Sequence, residues 1–484
     1  MPPETTPFYG RQRELERLKS LTRRKTATIV VIKGRRRIGK SRLVQELFRQ
    51  LTGYRIASFQ GLPPSDELTA ELEREDFAAQ IGRQLGIPPP RAADWNVLLW
   101  TIADRTRQGP HVVVLDEINW LGSKDPTFLG KLKNAWDMEF SKNPKFILIL
   151  SGSMAGWIER KILNNTGFMG RISLDFTLPE LPLHLCNCFW GAHRDRIAPY
   201  EKLRMLAVTG GVPRYLEEMD PTLPTDANIQ DICFTREGFL FKEFDILFND
   251  LFGKRRNFSY RRIVTALADG PLDLSGLYRA LDVGKTGKIG EYAEELVQSG
   301  LVSRDFTWHL DTAQKSKVSR FRLSDNYTRF YLKCIAPNRE RIARGTLSKL
   351  PNMDSIMGLQ FENLVLTNRK AVFRLLHIDP NDVLFDNPFI QRKTQRVQGC
   401  QIDYLIHTRQ KVLYLCEIKF SRNPVPLSVV AAMKGKVARL KIPPHTSYQP
   451  VLIHAGGAAD SIAEQDYFSR ILDFGELLTV QTQD

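Results

Sequence analysis

The segment Gly34-Arg35-Arg36-Arg37-Ile38-Gly39-Lys40-Ser41 fits the phosphate-loop pattern G-x-x-x-x-G-K-[ST] without a mismatch. The pattern constrains the fold because it works only between a strand and a helix. Thr28-Ile29-Val30-Val31-Ile32 is predicted as the buried strand entering the loop. Arg42 to Phe48 is predicted as the helix leaving it, with Leu43, Val44 and Leu47 on one face. Backbone N–H groups from Gly34 to Arg42, with the Lys40 ammonium, make a cradle for a nucleotide's β- and γ-phosphates, and the Ser41 hydroxyl suits Mg²⁺.

A second buried strand, His111 to Leu115, runs into Asp116 and Glu117. Acids at the carboxyl edge of an α/β sheet stand where such sheets bind ligands. Asp116 is expected to hold Mg²⁺ through water, and Glu117 to orient and deprotonate the attacking water. A third strand, Phe146 to Leu150, ends in Ser151-Gly152-Ser153. Either serine could report on the γ-phosphate, and either could be a turn residue.

At 484 residues the chain is too long for a single core. Its 42% hydrophobic and 25% charged content is ordinary for a globular protein, and no apolar run is long enough to span a bilayer. A cytoplasmic location without a membrane partner is expected. The six cysteines are scattered and predicted reduced. Of the formal charge of +15, residues 251–350 carry a surplus of nine, with 19 Lys and Arg against 10 Asp and Glu. That basic block favours a polyanion, most simply nucleic acid, over a merely solvated surface.

The opening Phe8-Tyr9-Gly10-Arg11-Gln12-Arg13-Glu14-Leu15, the arginine-rich loop and Gly210-Gly211-Val212-Pro213-Arg214-Tyr215-Leu216 together resemble the archaeal-type ATPases of the STAND class, relatives of AAA+ proteins. The resemblance implies a P-loop α/β core over residues 1–181 and a helical lid over 182–255. It places Phe8 to Arg11 against the adenine and Pro213 at the base from the lid. It gives Arg171 the role of sensing the γ-phosphate or completing a neighbouring site, the latter requiring a homo-oligomer. A lid touching base and phosphates closes on ATP and relaxes on ADP.

Residues 256–335 are expected to form a winged helix-turn-helix. Arg262 to Leu267, Leu274 to Leu281 and Thr286 to Gln298 are predicted helices, followed by strands at Leu301 to Arg304 and Ser319 to Leu323. Phe321 to Tyr327 matches the strand-to-helix exit of the same family. Lys285, Lys288, Lys315 and Lys317 are the candidates for DNA phosphates, although winged helices in STAND-class proteins also serve as packing modules.

After a connection over 336–355, residues 356–484 change character. Met357, Phe361, Leu364 and Val365 share a helical face with Glu362 at its edge. Gln401 to Ile406 and Val412 to Phe420 read as neighbouring strands, the second placing Leu413, Leu415, Glu417 and Lys419 on one side. Asp403, then Glu417-Ile418-Lys419, resembles the PD-(D/E)XK nucleases of restriction-endonuclease-like α/β fold, with Ile402 replacing the literal proline. The resemblance implies that Asp403, Glu417 and the Ile418 carbonyl hold Mg²⁺ or Mn²⁺, that Lys419 positions the attacking water, and that Glu362 adds a further acid. Lys434 and Lys436, on the following amphipathic helix, are expected to contact the DNA backbone.

The sequence thus leads to an ATP-controlled DNA nuclease, with a role in defence against foreign DNA implied by the resemblance alone. The rivals are a DNA-binding regulatory ATPase with an inactive nuclease fold and a protein-interaction switch.

Overall fold

A computed structural model describes residues 7–63, 65, 67–284, 287–347, 349–395 and 397–479. The chain divides into two compact units, Met1–Pro179 with Ile246–Asn257, and Glu180–Asp245 with Phe258–Gln483.

The first unit is built on a parallel sheet of β1 (Thr28–Lys33), β2 (Arg55–Gln60), β3 (His111–Asp116), β4 (Phe146–Gly152) and β5 (Ile172–Thr177). The strand order is β2-β3-β4-β1-β5. Continuous apolar runs in β1, β3 and β4 suit strands covered on both faces. Alternation along β1 sends Ile29 and Val31 into one core with Phe59, Phe77 and Trp95. It sends Val30 and Ile32 into a second core with Leu43 and Leu47. The pairing of Lys33 with Gly152 and of Gln60 with Asp116 aligns the carboxyl ends of these strands along one edge.

The second unit holds two sheets. β6 (Val302–His309) and β7 (Gln314–Leu323) form an antiparallel hairpin, preceded by helices Leu274–Ala280 and Gly287–Gln298. The other sheet has β8 (Val383–Gln391), β9 (Cys400–Thr408), β10 (Val412–Lys419), β11 (Ser447–His454) and β12 (Arg470–Asp473), in the order β12-β11-β10-β9-β8. Pairing is antiparallel among β8, β9 and β10 and parallel from β10 to β12.

Two local expectations change. Both hairpin strands extend well beyond the predicted runs, because the residues between them also pair, Trp308 with Lys315 and His309 with Gln314. The short helix expected at Arg262 belongs to one continuous helix, Phe239–Leu267, of 29 residues. The basic stretch Lys254-Arg255-Arg256 interrupts its apolar periodicity, so the sequence pattern alone hides the continuity. The expected boundary at 255/256 falls inside this helix.

Trp308 in β6 joins the hairpin to the larger sheet. Its ring lies 5.1 Å from that of Phe385 and 5.2 Å from that of Phe389, and its indole N–H reaches His407 Nδ1 at 3.1 Å. Trp308 and Leu310 belong to the same core as Ile402, Leu413 and Leu452. Trp308→Ala should therefore cost about 3–5 kcal/mol, and thermal unfolding should show the hairpin and the larger sheet losing protection together. A change below about 1 kcal/mol would show that the hairpin stands independently of that sheet.

Candidate functional site

Two sites emerge, one in each unit. In the first, the chain leaves β1 through Gly34, whose φ is +155° and whose added Cβ would lie 2.9 Å from the Leu178 carbonyl oxygen. Gly39, at φ +94°, turns the chain into helix Lys40–Gln50. Between them Arg37 adopts a left-handed φ of 69°. The N–H groups of that helix's first turn face the end of the loop.

Lys40 is buried beneath the loop and donates to the Gly34 and Arg35 carbonyls at 3.0 and 3.2 Å. Burial pulls its ammonium below the ordinary lysine range, with Glu117 and Asp116 opposing. Ser41 Oγ donates to Asp116 Oδ2 at 2.9 Å, so two hard oxygen donors stand together where Mg²⁺ is expected. Glu117, at a left-handed φ of 47°, accepts from the Ser153 backbone N–H at 3.2 Å and from Ser153 Oγ at 2.9 Å. Ser151 lies within β4, fully buried, and its hydroxyl has no hydrogen-bond partner. Of the two serines, Ser153 is thus the one on the acid.

The remaining residues of the loop divide their roles. Ile38 packs in the core beside Leu43, and Arg35 is buried. Arg36 pairs with Asp250, and its guanidinium lies 5.9 Å from the centre of the Trp120 ring. Arg42 is half-buried on the first turn of the helix. Phe8 packs against the β1 core, while Arg11 is buried and donates to the Pro179 carbonyl.

Arg171 stands apart. It precedes β5, whose residue Ile172 pairs with Ile29, while the far end of the register pairs Thr177 with Lys33. Arg171 is therefore at the edge of the sheet opposite the phosphate loop. Its guanidinium bonds Asp137 at 2.6 and 2.9 Å. The hydrogen bond from Arg171 holds the Asp137 carboxyl down at about 2. In the second unit, Pro213 opens a short helical turn, Pro213–Leu216. The preceding Gly211 donates to Glu180 Oε2 at 2.8 Å, and an added Cβ there would meet the Leu181 carbonyl at 2.3 Å.

The second site lies at the ends of β9 and β10. Asp403 Oδ2 accepts the Ile418 backbone N–H at 3.0 Å, while its Oδ1 meets Lys436 Nζ at 3.1 Å. Glu417, 2% exposed, bonds Lys436 through Oε2 and Lys419 through Oε1, the latter at 2.7 Å. Glu362, on helix Asp354–Thr367, lines a small cavity with Asp403. Burial first, and the Asp403 charge second, push the Glu362 carboxyl up to about 7. Burial and then Glu417 push Asp403 above the ordinary carboxylate range. Of the four residues expected at this site, Glu362 and Asp403 line that cavity, while Glu417 is tied to Asp403 through Lys436 and to Lys419 directly.

Lys436 corrects an expectation. It is not a surface contact but a fifth member of the site. Helix Ser428–Arg439 buries Val429, Val430 and Met433, and position 436 continues that stripe inward. Lys434 remains exposed, with its Nζ 5.1 Å from the centre of the Tyr467 ring. Lys288, Lys315 and Lys317 are exposed, Lys315 lying over the Phe306 ring at 3.4 Å, and Lys285 is outside the described residues. Among the described residues, no three acidic, histidine or cysteine side chains gather as a metal site. The Asp403 and Glu417 carboxylates, hard oxygen donors, are instead brought together by the Lys436 ammonium.

Two residues were missed in sequence, Asp250 and Asn119, and Lys436 was named there in another role. Asp250 carries no motif signal. Asn119 is buried beside Gly152 without a hydrogen-bond partner for its amide, and its position just after Glu117 was the available clue.

Residues 8–219 match the model of a family described as an ATPase domain predominantly from Archaea. An uncharacterized protein of Methanocaldococcus jannaschii is 24% identical over 348 residues, covering 70% of this chain and 71% of its own length. The Walker-type ATPase of Pyrococcus abyssi matches with a TM-score of 0.50 at 16% identity, over 67% of this chain and 96% of that one. That likeness is one of fold. Together with the loop geometry, these matches establish a P-loop ATPase core with a parallel sheet. No helix among the described residues is long and apolar enough to cross a membrane.

A carboxyl raised from 4.5 to about 7 stabilises the fold fully below pH 4.5, and that contribution is lost as pH rises through 7. Glu362→Gln should match wild type near pH 4.5 and exceed it by roughly 1–3 kcal/mol at pH 8. Thermal unfolding at the two pH values checks this, and a pH-independent difference would show that Glu362 titrates as it does in water.

Proposed function

We propose that the chain is an ATP-driven switch of the STAND class that controls a metal-dependent DNA nuclease in its tail. The observation carrying this reading is that Asp403 and Glu417 meet at Lys436, that Lys419 bonds Glu417, and that Glu362 lines a cavity with Asp403. In the ATPase, Lys40 and the loop N–H groups bind the phosphates, Ser41 and Asp116 would hold Mg²⁺, and Glu117 deprotonates the attacking water. Ser153, bonded to Glu117, holds that base in place. In the tail, Asp403, Glu417 and the Ile418 carbonyl would hold a divalent ion, which supplies Lewis-acid polarisation of a phosphodiester. Lys419, bonded to Glu417, orients the nucleophilic water and stabilises charge gathering on the phosphate.

Control is carried by helix Asp354–Thr367. Its Gln360 donates to the Ala207 carbonyl of the expected lid at 2.7 Å, and its Glu362 faces the acids. Helices Leu274–Ala280 and Gly287–Gln298 with the β6–β7 hairpin read as the winged helix. Its Lys288, Lys315 and Lys317, with Lys434 in the tail, are the exposed candidates for the DNA backbone. Arg171, exposed enough to reach another copy, would act in trans within an oligomer. Defence against foreign DNA rests on the family resemblance alone. The second reading, a regulatory ATPase whose nuclease fold is inactive, is favoured by Lys436 lying between Asp403 and Glu417.

Lys40→Ala should abolish ATP binding, whereas Glu117→Gln should bind ATP and hydrolyse it about 10²–10⁴-fold more slowly. Normal turnover by Glu117→Gln would remove the base assignment. Plasmid incubated with Mg²⁺ or Mn²⁺, with and without ATP, should be cut by wild type, and at least 100-fold more slowly by Asp403→Ala and Lys419→Ala. Equal cutting by all three proteins would place the chemistry elsewhere, and no cutting by wild type would leave the regulatory reading standing.

A further inference from the structure

All four carboxylate oxygens of the Asp403–Glu417 pair are engaged from within the chain. Asp403 Oδ2 takes the Ile418 N–H, and Glu417 Oε1 takes Lys419. The remaining two, Asp403 Oδ1 and Glu417 Oε2, both meet the single ammonium of Lys436. That ammonium stands where two carboxylates converge, the position a cation shared by them would take. Glu417 is almost wholly buried and Lys436 19% exposed, so little water shields the three charges. The arrangement is also built rather than incidental. Met433 and Val430 pack the same helix into the core and fix the stem from which Lys436 reaches inward. Lys434, two residues away, points outward.

Resting on the reading of the tail as a metal-dependent site, we propose that Lys436 is an internal cation that occupies this site and must be displaced before a divalent ion binds. Two buried carboxylates without a cation repel each other, so the ammonium keeps the empty site folded. A divalent ion must therefore break two charge-assisted bonds and release the Lys436 head toward solvent, which its flexible four-carbon stem permits. Metal binding and Lys436 release are thus one exchange. The affinity for metal is set as much by the hold on Lys436 as by the oxygen donors. Anything that draws Lys436 out of the cleft, such as a DNA phosphate at its mouth, raises metal affinity. The site is in this way kept closed to metal until its substrate arrives.

The test is a calorimetric titration of the full chain with Mn²⁺, without nucleotide, comparing wild type, Lys436→Met and Asp403→Asn. Lys436→Met should bind Mn²⁺ at least tenfold more tightly than wild type, and Asp403→Asn should lose this binding. Equal, Asp403-dependent affinity in wild type and Lys436→Met would overturn the exchange while leaving the metal site intact. Absence of Asp403-dependent binding in both would overturn the metal site and the exchange with it. A second measurement on wild type alone guards against a misfolded variant. Amine labelling read by mass spectrometry should show Lys436 becoming several-fold more reactive as Mn²⁺ saturates, with Lys434 unchanged. Mn²⁺ binding that leaves Lys436 labelling flat would overturn the proposal.

Discussion

The second unit depends on a buried polar network centred on Gln360 and Asn363. Gln360 Nε2 donates to the Ala207 and Asn326 carbonyls at 2.7 and 2.8 Å, and its Oε1 accepts from Arg329 at 2.9 Å. Asn363 donates to the Leu323 carbonyl at 3.0 Å and to Asn326 Oδ1 at 2.9 Å, and accepts from Arg322. Arg322 in turn grips Asp305 across the hairpin at 2.7 and 3.2 Å. Arg329 is wholly buried; burial, then the charge of Arg322, lowers its guanidinium to about 10. In a low-dielectric interior such groups are tolerable only when bonded, so each fixes the position of the others. Helix Pro199–Thr209, the hairpin and helix Asp354–Thr367 are therefore held in one register by groups that cannot slide without losing partners.

This network explains why the cleft is precise although its residues come from distant parts of the chain. Asp403 and Glu417 are set by neighbouring strands, but Glu362 depends on where its helix sits. That position is fixed by Gln360 and Asn363. The hairpin contributes from the other side. Ser319, Arg320 and Arg322 line, with Glu362 and Asp403, a cavity of about 20 Å³, room for about one water. The scarcity of water there is what raises the Glu362 carboxyl.

The two sites were unequally legible in sequence. The phosphate loop was readable because its requirements are local: glycines where φ is positive, a lysine and serine at the helix start, and apolar runs either side. The acids at Asp116 and Glu117 followed from a continuous apolar strand and its end. Asp403, Glu417 and Lys419 were also readable, since period-two geometry places them without knowledge of the remainder. Lys436 was not, because a lysine on an amphipathic helix reads as solvent-facing unless the helix's buried stripe is tracked to its last turn. The polar network was illegible for a further reason. Gln360, Asn363 and Asn326 resemble surface residues in composition, and only their nonlocal partners make burial possible. The 29-residue helix escaped because a basic run masked its periodicity.

The geometry of helix Asp354–Thr367 carries the consequence furthest. At 3.6 residues per turn, Gln360 and Glu362 point roughly 200° apart around the axis. One face of the helix is bonded to the Ala207 carbonyl, and nearly the opposite face presents a carboxyl to Asp403. A packed helix does not bend over a single turn without a proline or a bulge, and none stands between these residues. Displacement of the Ala207 carbonyl must then either break a buried hydrogen bond or carry Glu362 with it. Leaving one Gln360 N–H unpaired costs about 1–3 kcal/mol. The helix can follow only together with Asn326, Arg329 and the hairpin, which share its bonds, and such a joint shift changes the distance between a carboxyl and a neighbouring acid already in electrostatic conflict.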